Sequence, residues 1–208
     1  GLVIGFTGRS LDKDTQCKYL NSPETPLFHK GKTLFGIYQA RQEISKSDKC
    51  YLVEGQFDVL SFVQSGYPNT VCGSGTALTL DQVRIIKKFT RNVTAVYDGD
   101  AAGMKASVRN MDIMLAEGMN VRAVLLPEGE DPDSFARKMG TEKLAKFLKK
   151  QETDFISFIY KAFESEMDDP IRKTEVLRII AQSISVVPDK LQRKAYIVSL
   201  AERFNADG

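Results

Sequence analysis

The residues able to do chemistry in this chain are carboxylates, and they fall at three places. Glu54 and Asp58 lie four apart, Asp98 and Asp100 flank Gly99, and Asp131 and Asp133 flank Pro132. In extended chain, side chains two residues apart point the same way, so each Asp pair would face one point. Asp58 falls one turn into the helix expected after Glu54. Up to six carboxylates would then share one rim, and they repel one another unless something cancels the charge. A hard divalent cation such as Mg²⁺ does this through oxygen ligands. Two such ions can clamp the attacking and leaving oxygens of a phosphoryl transfer.

Each acid also has a plainer reading. Asp58 and Asp133 would serve equally well as helix N-caps. Asp98-Gly99-Asp100 is common turn chemistry, and such a turn also occurs where an Asp is a phosphorylated nucleophile. Glu54, placed directly after an apolar run, has no capping role to explain it. Other chemistries are narrowed by the rarer residues. His29 is the only histidine, so a Ser-His-Asp triad or a His-based metal site would rest on it alone. Cys17, Cys50 and Cys72 are odd in number and far apart. They exclude a disulfide framework and a CxxC zinc knuckle, and they fit a reducing cytosol.

The elements that must position these acids follow from hydrophobic patterning. Short apolar runs occur at 50–53, 70–72, 93–97 and 121–126, each followed by a helical pattern. Repeated strand–helix units with nearly continuous apolar strands predict an α/β fold whose parallel sheet is covered on both faces. Ligands in such sheets bind beyond the carboxyl ends of the strands, and three of the four predicted strand ends carry the acids. The remaining one ends in Gly73-Ser74-Gly75-Thr76, a small-residue loop. Thr79-Leu80-Asp81-Gln82 reads as a capping box. Before the sheet, residues 1–49 read as a mixed, loop-rich segment, with a strand at 2–6 and a helix over 33–44. After it, 141–208 reads as a strand-free helical subdomain. Asp169-Pro170 and Asp189-Lys190 mark helix starts there, and Leu177/Ile180/Ile184 and Leu191/Ala195/Val198 form buried stripes.

The whole chain of 208 residues carries a net charge of only +2. That balance is uneven along the sequence: residues 1–49 hold 8 basic and 5 acidic side chains, and residues 50–140 hold 9 and 11. Six of those 11 acids are the candidate ligands, so divalent ions would leave the working face more positive than the total suggests. No apolar run reaches membrane-spanning length, and 1–6 lacks the features of a signal peptide.

Taken together, the motifs resemble a known family. Glu54-Gly55 after one strand and Asp98-Gly99-Asp100 after a later one resemble the TOPRIM signature. The wider set resembles the catalytic core of the bacterial DnaG-type primases. It comprises Tyr19-Leu20-Asn21-Ser22-Pro23-Glu24-Thr25, Phe28-His29-Lys30-Gly31, Glu54-Gly55-Gln56-Phe57-Asp58, Gly75-Thr76-Ala77-Leu78-Thr79, Asp98 to Gly103, and Leu126 to Asp133. The resemblance implies a TOPRIM-type Rossmann-like parallel sheet with flanking helices over 50–140. A mixed N-terminal part of the polymerase core (1–49) would precede it, and a helical subdomain (141–208) would follow. It implies a nucleotidyltransferase that makes short RNA primers on single-stranded DNA from ribonucleoside triphosphates.

Site roles follow from the same resemblance. Glu54, Asp98 and Asp100 would hold the principal Mg²⁺ or Mn²⁺, and Asp58, Asp131 and Asp133 a second ion. Lys18, Asn21 and Lys30, with Arg9 after a glycine-containing turn, would contact nucleotide and template. His29 would pack or position backbone rather than catalyse. The implied partners are template, nucleotides, the RNA primer and a replicative helicase. The family's zinc-binding domain, the early basic part of its core and its helicase-binding domain are expected to lie outside this chain. No zinc is expected in it, and the protein would be a cytoplasmic monomer. Gln56-Phe57 departs from the family's usual aromatic-Met pair. The alternatives are a non-catalytic metal- or nucleotide-binding module, and another TOPRIM enzyme such as a nuclease or topoisomerase.

Overall fold

The computed structural model describes residues 2–10, 19–74, 77–99 and 104–204. A small antiparallel pair, β1 (Thr7–Arg9) and β2 (Tyr19–Asn21), leads into a six-stranded mixed sheet. The sheet comprises β3 (Leu34–Phe35), β4 (Cys50–Val53), β5 (Thr70–Gly73), β6 (Asn92–Tyr97), β7 (Asn120–Leu125) and β8 (Thr153–Asp154), in the order β3-β5-β4-β6-β7-β8. The four inner strands are parallel, as the repeated strand–helix pattern predicts. Both outer strands run antiparallel to their neighbours. They are two residues each, too short to show a period in the sequence.

Among the described residues eight α-helices flank the sheet: α1 (Ile37–Ser47), α2 (Gln56–Gln64), α3 (Leu80–Lys87), α4 (Met104–Ala116), α5 (Pro132–Gln151), α6 (Phe155–Ala162), α7 (Pro170–Ser185) and α8 (Lys190–Phe204). Alternation along the strands assigns the two faces. Leu52, Val71, Val93, Ala95 and Tyr97 pack with Ala40, Val83, Met111, Phe155, Phe158 and Ile180 on one side. Tyr51, Val53, Cys72, Val96 and Val124 pack with Phe62, Phe135 and Leu148 on the other. Both parities are therefore apolar, which is why the strands read as continuous runs. The capping box forms as predicted: Gln82 N donates to Thr79 Oγ1 at 3.2 Å and Gln82 Oε1 accepts from Thr79 N at 3.1 Å.

Several expectations are corrected. Residues 2–6 form no strand: Phe6 is hydrogen-bonded to Ser22, but Leu2 is 94% exposed, and the strand lies at Thr7–Arg9. The helix expected over 33–44 begins at Ile37, because Leu34–Phe35 first joins the sheet edge. Gly36, at φ +85°, makes the turn between them, and a Cβ there would come within 3.0 Å of Thr70 O. The tail is not strand-free, for β8 pairs with β7. On α8 the stripe Leu191/Ala195/Val198 faces solvent, with Leu191 80% exposed. The helix packs instead through Tyr196, Leu200 and Phe204, whose two rings offer more apolar surface to bury.

The edge of the sheet opposite the carboxyl ends carries a chain of polar side chains. Asp48 accepts from Thr90 Oγ1 (2.7 Å) and Asn92 Nδ2 (2.9 Å). Asn92 Oδ1 accepts from Asn120 Nδ2 (2.8 Å), and Asn120 Oδ1 from Gln192 Nε2 on α8 (3.1 Å). The tail thus shares both core and polar contacts with the sheet. Phe158 sits with its ring 5.4 Å from that of Tyr97. Phe158→Ala should cost about 3–5 kcal/mol, read by urea denaturation. Sheet and tail should unfold in one transition; two separate transitions would mean that 141–208 folds independently.

Candidate active site at the carboxyl ends of the strands

The parallel register aligns the strand ends at one edge. Leu52 pairs with Ala95 and Tyr97 with Leu125. Glu54 therefore follows β4 level with the end of β6, where Asp98 begins the next loop. The proximity is electrostatic as well as topological: burial and then the Glu54 charge push the Tyr97 phenol up. Glu54 is exposed and Asp98 half-buried. A cavity of about 210 Å³ beside them is lined by Glu54, Gly73, Tyr97, Ser107 and Asn110 among others.

Gly99 brings two of these loops together. A Cβ at this position would lie 2.1 Å from Pro127 O and 2.7 Å from Leu126 O. No side chain fits there. The Gly99 N–H donates to Glu130 O at 3.3 Å, so the loop after β6 rests on the loop after β7. This holds Asp98 against the stretch that carries Asp131.

Asp58 lies beneath the rim at the third position of α2. Its Oδ2 accepts from Gly55 N at 2.7 Å and its Oδ1 from Asp133 N at 3.2 Å. Burial pushes its carboxyl up to about 7, with the charges of Asp98 and Asp131 adding to the rise and the two backbone N–H groups opposing it.

The 131–133 pair behaves differently from the extended-chain expectation. Pro132 opens α5, so Asp131 is its N-cap, with Oδ1 accepting from Ser134 N at 2.7 Å. Asp133 is already on the helix, where residues two apart diverge by about 200°. Its carboxylate turns onto α2, accepting from Ser61 Oγ at 2.5 Å and Arg137 Nη2 at 2.7 Å. Asp131 is exposed and Asp133 buried.

The basic and amide candidates are spread over two places. Arg9 Nη1 stands 4.0 Å from Asp133 Oδ2, and its guanidinium carbon lies 5.1 Å from the centroid of the Phe57 ring. Asn21 Nδ2 donates to Ser74 O beyond β5 at 3.4 Å. Lys30 belongs to a loop clamped by α3: Gln82 Nε2 donates to the carbonyls of Lys30 and Thr33, each at 2.9 Å. His29 is exposed and lies 3.0 Å from Glu24, whose other oxygen accepts from Lys30 N at 2.9 Å. It positions this loop rather than packing in the core. Phe28, by contrast, is buried. Lys18 and Asp100 lie outside the described residues.

Among the described residues, no three His, Cys, Asp or Glu side chains stand close enough to hold a metal ion. Asp100, two positions beyond Asp98, is not among them. The donors at this edge are carboxylate oxygens, the chemistry that hard divalent ions take. Three contributors escaped the sequence reading: Phe57, Ser61 and Arg137. Arg137 was accessible as an i, i+4 partner of Asp133. Ser61 and Phe57 carried no signal, because their partners come from other elements.

The sheet and its helices are those of a Toprim-like module, and residues 51–136 match the family described as Toprim-like. Residues 1–41 match the N-terminal domain of the DNA primase catalytic core, and 164–207 match the DnaB-helicase binding domain of primase. Among curated relatives, the DNA primase of Halalkalibacterium halodurans is 37% identical over 207 residues, covering 99% of this chain and 34% of that protein. The DNA primase of Aquifex aeolicus is 42% identical over 165 residues, covering 79% and 33%. Of the solved structures, the zinc-binding and RNA polymerase domains of Aquifex aeolicus primase align with a TM-score of 0.85 at 34% identity, covering 99% of this chain and 49% of that one. A DnaG catalytic core aligns at 0.81 and 33%, covering 99% and 67%. A DnaG catalytic domain bound to single-stranded DNA aligns at 0.81 and 34%, covering 97% and 66%. The chain belongs to the bacterial DnaG-type primase family. It spans about a third of the length of the curated relatives it matches. The match over 164–207 overturns the expectation that the helicase-binding domain lies wholly outside this chain. Among the described residues, no helix is long and apolar enough to cross a membrane.

Two outcomes follow from the geometry. Gly99→Ala should force the two loops apart and lower the melting temperature, at a cost of about 1–3 kcal/mol or more. The second concerns pH. Asp58 holds its proton more tightly folded than unfolded, so from its ordinary carboxylate range up to about 7 the folded state binds more protons. Stability in chelator should therefore fall as pH rises through that window and level off above it. Urea denaturation should show this slope in the native chain and a shallower one in Asp58→Asn.

Proposed function

We propose that the chain forms part of the catalytic core of a DNA primase, making RNA primers on single-stranded DNA by metal-dependent nucleotidyl transfer within a longer protein. The observation that carries this reading is Glu54 and Asp98 standing at the ends of neighbouring parallel strands, with Gly99 holding the second against the loop of Asp131. Glu54, Asp98 and Asp100 would hold the principal Mg²⁺ or Mn²⁺, and Asp58 and Asp131 would contribute to a second position. When bound, such ions neutralise charge on the attacking and leaving oxygens of the transfer.

The chain's own groups supply placement. Asp58, whose carboxyl burial raises to about 7, would be favoured in its ionised form by a bound cation. The clamped loop presents Lys30 and the sheet edge presents Asn21. Lys18 and Arg9 add donors for phosphates, so contacts to template are mostly to backbone and tolerate any sequence. The transfer needs no histidine, in keeping with the outward position of His29. Ribonucleoside triphosphates are the substrates. The solved relative bound to single-stranded DNA supports the template. The match over 164–207 supports contact with a replicative helicase through that segment. The protein would act as a monomer in the cytoplasm.

The test uses the full-length protein with single-stranded template, Mg²⁺ and labelled ribonucleotides. Glu54→Gln and Asp98→Asn keep shape and remove charge. Each should cut primer synthesis about 100-fold or more, with little change in melting temperature. Primer synthesis at a near-normal rate by either variant would overturn the assignment.

A further inference from the structure

Asp133 is the member of the acidic set whose surroundings least suit a cation. Its side chain is 8% exposed, and both oxygens are engaged: Oδ1 by the Ser61 hydroxyl, Oδ2 by Arg137 and, more loosely, by Arg9 at 4.0 Å. One negative charge therefore faces two guanidinium groups. A metal ion arriving there would have to displace an ion pair and would meet two like charges. None of this applies to Asp131, which is exposed at the mouth of the same loop.

Arg9 is the beneficiary of this arrangement. It comes from β1, an element outside the main sheet, yet it is held from two sides. Phe57 of α2 lies against its planar group at 5.1 Å, and Asp133 of α5 faces Nη1. An arginine fixed by a ring and a carboxylate loses less side-chain entropy when it then meets an anion. The backbone of Asp133 meanwhile donates to Asp58, so the residue that fixes Arg9 also touches the carboxylate cluster. The distance from Arg9 to the metal-binding edge is thereby set.

We propose that Asp133 is a positioning residue rather than a metal ligand. It holds Arg9, with Phe57, where the guanidinium takes a phosphate of the substrate. That phosphate belongs either to a nucleoside triphosphate or to the nucleic-acid backbone. Its identity as substrate rests on the polymerase reading above; the division of labour between Asp131 and Asp133 does not.

Binding measurements on the intact chain separate the possibilities without reading primer synthesis. Mn²⁺ affinity is followed by electron paramagnetic resonance. Phosphate binding is followed by anisotropy with a fluorescent ATP analogue and, separately, with labelled oligothymidylate. Asp133→Asn should weaken one or both anionic probes about fivefold and leave Mn²⁺ affinity within about twofold. In an Arg9→Ala background, Asp133→Asn should cause little further loss, since the group it positions is already gone. The probe that weakens identifies the source of the phosphate. A tenfold loss of Mn²⁺ affinity in Asp133→Asn, multiplicative losses in the double variant, or no binding of either probe by the native chain would each overturn the proposal. Melting temperatures accompany every variant. Should Asp133→Asn not fold, Arg9→Ala decides: the proposal expects weaker binding of an anionic probe with Mn²⁺ affinity within about twofold, and unchanged binding of both probes would overturn it. Failure of the primase reading would leave the metal and cycle results standing.

Discussion

Repulsion among carboxylates crowded at one edge of the sheet sets the terms for the structure around them. Parallel strands in register bring Glu54 and Asp98 to the same level, and the close approach at Gly99 brings the loop of Asp131 up to them. Asp58 is buried below. Its two backbone N–H contacts only partly offset the burial and the neighbouring charges, so its carboxyl rises to about 7. Asp133 escapes the crowd because a proline starts a helix one residue earlier and turns its side chain onto Ser61 and Arg137. The fold holds one subset of acids under strain of charge and neutralises another. If a cation binds there as proposed, it would offset the charge that this arrangement leaves on the buried Asp58, and binding would add stability.

The sheet itself was legible because its signals are local. Each inner strand is a four- to six-residue apolar run, each crossover helix has a cap or a glycine stop, and the acids fall directly after the strands. What the sequence did not reveal depends on partners distant along the chain. The two-residue edge strands β3 and β8 have no period to detect. On α8 two apolar stripes compete, and only the position of Phe155 and Tyr160 decides that Tyr196 and Phe204 turn inward. Leu2 to Phe6 are apolar enough for a strand, yet only Phe6 meets the neighbouring chain, at Ser22, among the backbone contacts of the described residues.

The candidate site divides along the same line. Residue type and spacing located the acids. The i, i+2 rule failed at Asp131 and Asp133 because it presumes extended backbone, and Asp131-Pro132 is a helix start. That failure could have been foreseen from the proline. The cradle of Phe57 and Asp133 around Arg9 could not, since it joins positions more than 120 residues apart. Asn21 and Lys30 show a third case: their motifs were recognisable, while the means of holding them, through Ser74 and Gln82, was visible only in three dimensions.

The polar chain from Asp48 through Asn92 and Asn120 to Gln192 fastens α8 to the amino-terminal edge of the parallel strands. The acids occupy the other edge. The apolar stripe of α8 that faces solvent is therefore on the far side of the molecule's working end. A macromolecule gripping Leu191 and Val198 would leave the strand ends unobstructed. On the proposed reading, a contact at that back face and one at the strand ends could be made at the same time.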